Sequence, residues 1–380
     1  YFTRNNRTVG LFIPSETSQR VAMPPRPNLA DLLADYRGRE GMAEGEQFDA
    51  DPQNVESRTA RGELSSGIKT AFLPKKTRGG TVNIELNLRY GNERSLTPYV
   101  TAVEFLPEMM MRGTESLSYE QLQDRLDELR CQVSVSGTNG LLSVSIETKR
   151  EALPEVIELL GDILRHPRFD AAEFDVLKRQ AITGTEARMT EPTVLAGLAV
   201  RRALAPYPKG DVRYVPTLEE KLEMYREANI EQVRELHSKQ LSGQHGELAV
   251  IGDFDPEQVA ADFDSILSGW TTKVPFSRIA QPAQIDVAGR TEQILTPDKA
   301  NAVYYAGQHL AMLDDNPDYP ALVIGNYIMG GGALSSRLGD RVRQKEGLSY
   351  SVGSGVSAHP IDARATLTLF AITNPEARDK

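Results

Sequence analysis

One order of elements occurs twice in this chain: strand, helix, glycine break, helix, strand pair. A repeated order constrains a fold more tightly than any single motif, because each copy must bury its own apolar face in the same way. In the first copy, residues 81–91 place Val82, Ile84, Leu86, Leu88 and Tyr90 on one side of a period-two pattern, as in a half-buried strand. Thr97-Pro98 then offers an N-cap and a first-turn proline for a helix expected to stop near Gly113. A second helix opens at Ser118, with Gln121 completing a capping box and Leu122, Leu126 and Leu129 as its apolar stripe. Strands 132–136 and 142–148 follow, joined by the turn Thr138-Asn139-Gly140. In the second copy, residues 302–308 are strand-like. Asn316-Pro317 opens a helix, with Pro317 standing 219 residues after Pro98. Gly330-Gly331-Gly332 falls where Gly113-Thr114 stood, a helix runs to about Glu346, and strands 349–356 and Ala365–Thr373 close the unit.

Between the copies, Val156, Leu159, Leu160, Ile163 and Leu164 mark an amphipathic helix, and further helices reach about Lys239. A strand at 247–252 leads into Asp255-Pro256, which starts one more helix. The fold class is α+β: two homologous domains of largely antiparallel sheet with helices packed on one face, the second truncated at Lys380. Residues 64–272 form the first domain, a proline-containing connection occupies 275–282, and residues 283–380 start the second. Residues 1–63 read as the end of a preceding half plus a linker. They hold an apolar strand at 8–13, the run Pro24-Pro25-Arg26-Pro27, a short helix at 29–36 and a charged stretch to Glu63. With neither an initiator Met nor a cleavable leader, the chain reads as a piece of something longer.

Composition removes several functions. Acidic residues number 53 against 43 basic ones, and the net charge of −10 argues against a broad footprint on nucleic acid or anionic lipid. No apolar run reaches the roughly 18 residues of a membrane span. Cys131 is the single cysteine, so no intrachain disulfide or cysteine-based zinc cluster exists, and the residue reads as a small core side chain. The five histidines are His166, His237, His245, His309 and His359, the nearest two eight residues apart. Neither His-x-x-Glu-His nor His-Glu-x-x-His can be written. The glycine triplet fits either a bend or a phosphate cradle, but helix–glycine–helix is not the strand–glycine–helix order of a nucleotide loop, and no Gly-Lys-Ser/Thr follows. The basic residues Arg337, Arg341, Arg343 and Lys345 are interleaved with Asp340 and Glu346, as on a solvated helix face.

The run from Glu104 to Thr114, Glu-Phe-Leu-Pro-Glu-Met-Met-Met-Arg-Gly-Thr, resembles the zinc-helix segment of the insulinase/pitrilysin metallopeptidases, where His-x-x-Glu-His precedes Met and Gly-Thr. Leu334-Ser-Ser-Arg-Leu338, with Arg343-Gln-Lys-Glu-Gly-Leu-Ser-Tyr350, is similar to that family's second-domain signature, as is the glycine triplet. The resemblance covers about residues 60–380. It puts the two zinc histidines on Glu104 and Glu108, the general base on Pro107, and the later glutamate ligand on Gly184, 76 residues beyond Glu108. All four roles are lost, so no metal is expected in this chain. Zinc sites favour His nitrogen or Cys sulfur, and proline offers no base. Pro107 is expected to kink its helix or end it early. The two glutamates stand as a solvated pair or as a weak cation site.

The resemblance also implies roles for Arg343 and Tyr350: an arginine and a tyrosine at this spacing reach the metal site of the partner half, touch substrate and stabilise the tetrahedral intermediate. A guanidinium and a phenol are both hydrogen-bond donors, which is what a developing oxyanion needs. In the opposing reading Arg343 pairs with Glu346 on a solvated helix and Tyr350 starts a strand as core. The implied function is the C-terminal, non-zinc half of a zinc endopeptidase, closing a peptide chamber and inactive by itself. Zinc is expected in the partner half, which is either the N-terminal half of the same polypeptide or a separate zinc-bearing subunit; peptide is the expected substrate, and a periplasmic location goes with the bacterial tandem members. The alternatives are a non-catalytic scaffold of the same fold and a nucleotide binder using the triglycine.

Overall fold

The chain organises around two sheets. The computed structural model describes Ala34 and residues 44–377. The expected strand at 8–13, the run Pro24-Pro25-Arg26-Pro27 and, apart from Ala34, the helix at 29–36 lie outside the described residues. Helix α1 (Pro52–Arg58) is capped by Asp51, and strands β1 (Ala60–Glu63) and β2 (Lys69–Pro74) follow it. The stretch up to Glu63 is therefore not all linker. Its last dozen residues fold because β1 pairs antiparallel with β2, and Arg58 reaches both the Glu46 carboxylate and the Pro74 carbonyl. Strand β3 (Thr81–Arg89) buries the alternate residues that its pattern marks, each at most 2% exposed.

Helix α2 (Glu93–Leu96) and a 3-10 turn (Thr97–Tyr99) precede α3 (Ala102–Met110). The helix does not start at Thr97-Pro98. Asn92 and Ser95 form a capping box that starts the helix four residues earlier, at Glu93, and the Thr97 hydroxyl turns back to the Glu93 carbonyl at 2.8 Å. Pro107 neither stops α3 nor ends it early: the helix runs three residues further, with the proline side buried against Gly137. Helix α4 (Tyr119–Glu128) carries the Ser118/Gln121 capping box, and β4 (Gln132–Thr138) and β5 (Leu141–Lys149) form the hairpin read from Asn139-Gly140.

Five helices follow: α5 (Leu153–Arg165), α6 (Ala171–Glu186), α7 (Pro192–Leu204), α8 (Leu218–Glu227) and α9 (Ile230–Gln240). Strand β6 (Gly246–Gly252) and helix α10 (Pro256–Leu267) complete the first sheet's elements. That sheet has the order β1-β2-β6-β3-β5-β4, antiparallel except for β2 with β6. Its buried face and the apolar stripes of α3–α6, α9 and α10 make one continuous core.

The connection to the second sheet is fastened at both ends. Asn92 donates to the Pro275 carbonyl at 2.8 Å and Arg213 to the Ala280 carbonyl at 3.0 Å, while Arg278 pairs with the buried Asp362 at 2.8 Å. That guanidinium holds the Asp362 carboxyl below the usual carboxylate range. The second sheet holds β7 (Ala302–Leu310), β8 (Ser349–Ala358) and β9 (Ala365–Thr373) in the order β7-β9-β8. Helix α7 lies on β7 at Gly307, where a methyl group would come within 2.6 Å of Val200. Helix α11 (Tyr319–Asn326) starts beside Pro320 rather than Pro317, because Asn316 is used in a turn that accepts from the Asp318 amide at 2.9 Å. It widens into a π turn at Tyr327–Gly331; a 3-10 turn (Ala333–Ser335) and a second π segment (Gly339–Lys345) lead to β8.

Candidate functional site

Two places carry the side chains that the sequence singles out. The first is α3. Glu104 and Glu108 are both exposed and Pro107 is buried between them. Glu104 is not a free solvated carboxylate. Lys221 of α8 pairs with its Oε1, and the Tyr225 hydroxyl donates to Oε2 at 2.8 Å. Burial first, and the Glu104 charge second, push the Tyr225 phenol well above its ordinary value. Gly184, exposed on α6, has nothing within 4 Å of the position a side chain would take. Among the described residues no three His, Cys, Asp or Glu side chains are grouped to hold a metal. A zinc ion does not fit these residues: the first ligand position is engaged by an ammonium, the base position is a pyrrolidine ring, and the third ligand position has no side chain. Lys221 and Tyr225 escaped sequence reading because their partner lies more than a hundred residues away. Only the Thr217/Glu220 capping box that starts their helix is a local signal.

The second place is the start of β8. Strand β8 slips its register on β9 between Ser349 and Ser351, leaving Tyr350 as the extra residue of a bulge. Ser349 is held inside by bonds from its hydroxyl to the Ser351 and Ile372 carbonyls, at 2.7 and 2.6 Å, and Tyr350 swings out, 81% exposed. Arg343, on the second π segment, stacks on that ring with its guanidinium carbon 4.6 Å from the ring centre. The fold thus brings together the two residues paired by the resemblance, and the opposing reading loses both its parts. Glu346 pairs with Arg341 at 3.0 Å, and among the described residues no carboxylate lies within 4.0 Å of Arg343; Tyr350 is not core. Beside the stack a cleft of about 570 Å³ is lined by Asn301, Gly347, Leu348, Ile372 and Asn374. The lining is uncharged, and Tyr350, the ring on which Arg343 stacks, is part of it.

The remaining candidates resolve simply. A methyl group on Gly330 would lie 2.5 Å from the Ser354 hydroxyl and 2.6 Å from its amide nitrogen, so strand β8 already fills the space a phosphate would need. Lys345 pairs with Asp340 at 2.8 Å, in keeping with a solvated basic face. Cys131 is buried, with its thiol pushed up by that burial. No helix among the described residues is long and apolar enough to cross a membrane.

Comparison with known proteins adds a likeness over the C-terminal part of the chain. Residues 227–380 match the model described as the peptidase M16 inactive domain. The chain is 21% identical over 271 residues to the non-peptidase homolog YmxG of Helicobacter pylori, covering 71% of this chain and 60% of that protein. It therefore spans less than two thirds of the length of the curated relative it matches. Among solved structures, the peptidase M16 inactive domain from Pseudomonas fluorescens superposes with a TM-score of 0.65 at 19% identity, covering 84% of this chain and 75% of that one. The periplasmic protease PqqL from Escherichia coli gives 0.68 at 14% identity, with 96% of this chain but 38% of that one covered. At these identities the superpositions establish the fold. Residues 227–380 are thus similar to the peptidase M16 inactive domain, and the chain shares the α+β fold of the solved structures it superposes on.

Proposed function

We propose that this chain is the half of an insulinase-type endopeptidase that holds no metal, and that it closes a peptide chamber and presents Arg343 and Tyr350 to the zinc site of an active half. The observation that carries the reading is the Arg343–Tyr350 stack, held out on a bulge beside an uncharged cleft. The permanent charge of Arg343 and the phenol proton of Tyr350 would both donate to the oxygen of a tetrahedral intermediate. The bulge fixes the tyrosine before substrate arrives, which lowers the ordering cost of using it. The zinc would be held by the partner half, in the same polypeptide or in a separate subunit. A periplasmic location goes with this reading, since PqqL is described as a periplasmic protease.

The test uses this chain together with a zinc-bearing half. Arg343→Ala and Tyr350→Phe are each expected to lower kcat/KM by ~10²–10³ while zinc content stays constant, the usual loss for one oxyanion donor. Unchanged turnover in both variants defeats the assignment. By itself the chain is expected to show no chelator-sensitive cleavage of an unstructured peptide. A second reading, a non-catalytic scaffold that pairs with another subunit, is favoured by the likeness to YmxG, which is described as a non-peptidase homolog. An assembled complex that binds peptide but turns none over would select it.

A further inference from the structure

Helix α8 offers Lys221 and Tyr225 four residues apart, hence on one face. Each takes a different oxygen of Glu104. The lysine ammonium also lies 5.1 Å from the centre of the Tyr225 ring, and that ring meets Phe105 of α3 edge-on at 5.5 Å. The carboxylate is thus clasped by a cation and a phenol, the phenol braced by Phe105 of the carboxylate's own helix and the cation lying over the phenol ring. Lys221 is 23% exposed and Glu104 36%, so the pair is only partly screened by water. The other charges acting on Tyr225 are Arg188 and Glu108. Neither replaces Lys221: Glu108 has the same sign as Glu104, and among the described residues Lys221 is the cation within 4.0 Å of the Glu104 carboxylate.

We infer that Lys221 is the built-in counter-ion of Glu104, and that the Lys221–Glu104–Tyr225 clasp fastens α8 to α3 with a fixed monovalent charge at the position where a metal-bearing helix would hold its first ligand. The inference rests on reading α3 as a degenerate metal helix only for that last comparison; the clasp stands on its own geometry. It ties α8, whose backbone packs along α6, to α3 without a bridging ion. It also makes Lys221 a second obstacle to metal, beyond the missing ligands, because a divalent cation approaching Oε1 meets an ammonium already in place.

Thermal unfolding of the 380-residue chain tests it through a double-mutant cycle. Glu104→Gln and Lys221→Met are each expected to lower the melting temperature by about 2 °C, and the double variant by no more than either alone. Lys221→Arg, which keeps the charge, should recover most of the loss. A second readout isolates the phenol: Tyr225→Phe should lower the melting temperature of the unaltered chain, and should lower it less in the Glu104→Gln background. Additive losses of Glu104→Gln and Lys221→Met overturn the clasp, and equal losses from Tyr225→Phe with and without Glu104 remove the phenol from it. Neither result touches the roles of Arg343 and Tyr350, which are read by turnover.

Discussion

The strands β3, β5 and β4 and the strands β7, β9 and β8 are built to one plan. In each unit the first strand pairs antiparallel with the third over nine residues, and the second lies outside the third. The helices between them differ sharply. Seven of the nine residues of α3 are buried, whereas no residue of α11 is, and Val323, Ile324, Tyr327 and Ile328 are 41–66% exposed along α11 and its π extension. Strand β3 has β6 on its second edge; β7 has no strand there among the described residues. Pairing order, then, is set within some seventy residues of strand, turn and helix. Burial of the intervening helix depends on what comes later in the chain, here α6, α9 and β6.

The largest expected effect follows from that contrast. Leu106→Ala in α3 removes a side chain with no exposed surface and should cost about 2–5 kcal/mol in urea unfolding. Ile324→Ala in α11, at 62% exposed, should stay within about 0.5 kcal/mol. Similar losses at both sites would mean that α11 is covered in solution, and the comparison would break.

What the sequence makes legible divides along the same line. The alternation of β3, the Asn139-Gly140 hairpin, the Ser118/Gln121 box and Asp255-Pro256 are local signals, and each element stands where its signal puts it. Thr97-Pro98 and Asn316-Pro317 were equally local but lost to stronger neighbours, the Asn92/Ser95 box and the Asn316 turn. Strand β1, with all four residues exposed, has no apolar pattern to read and exists because β2 offers it an edge. The Arg343–Tyr350 pair was legible only as a motif; the bulge that turns the tyrosine outward depends on the register of β8 against β9. The Lys221 contact was not legible at all, because nothing near α8 in sequence names its partner.

The two glycine breaks sharpen the comparison at smaller cost. Gly113 is required by its backbone, at φ +111°. Gly330 is required by contact, since a methyl group would press on Ser354 of β8. Gly330→Ala should therefore destabilise by about 1–3 kcal/mol as an overpacked site. Gly325→Ala, five residues earlier in α11 with nothing within 4 Å, should instead stabilise by about 0.5–1 kcal/mol. Denaturant midpoints moving in opposite directions are the signature. A gain at both positions would show that the π turn is not packed on β8.

The smallest effect is electrostatic and again has one member in each region. His237 of α9 and His309 of β7 both have their imidazole pushed below the ordinary value, chiefly by burial. Proximity to His166 adds to this for His237 and proximity to Arg364 for His309. His237 holds the Leu164 carbonyl at 2.7 Å; in His309 the ring Nδ1 is buried with no partner, so a proton there would have no acceptor. Because the folded chain binds fewer protons at these rings than the unfolded chain, their contribution is complete above about pH 6.5 and is lost as the pH falls below it. Each ring can add at most ~1.4 kcal/mol per pH unit to that slope. Melting temperatures measured between pH 7.5 and 5.5 should fall on the acid side, and His237→Gln should flatten the fall more than His309→Gln, since His237 is only 9% exposed. Flattening of equal size would place the second sheet's interior on a par with the first, and an unchanged slope in both variants would assign the acid sensitivity to other groups.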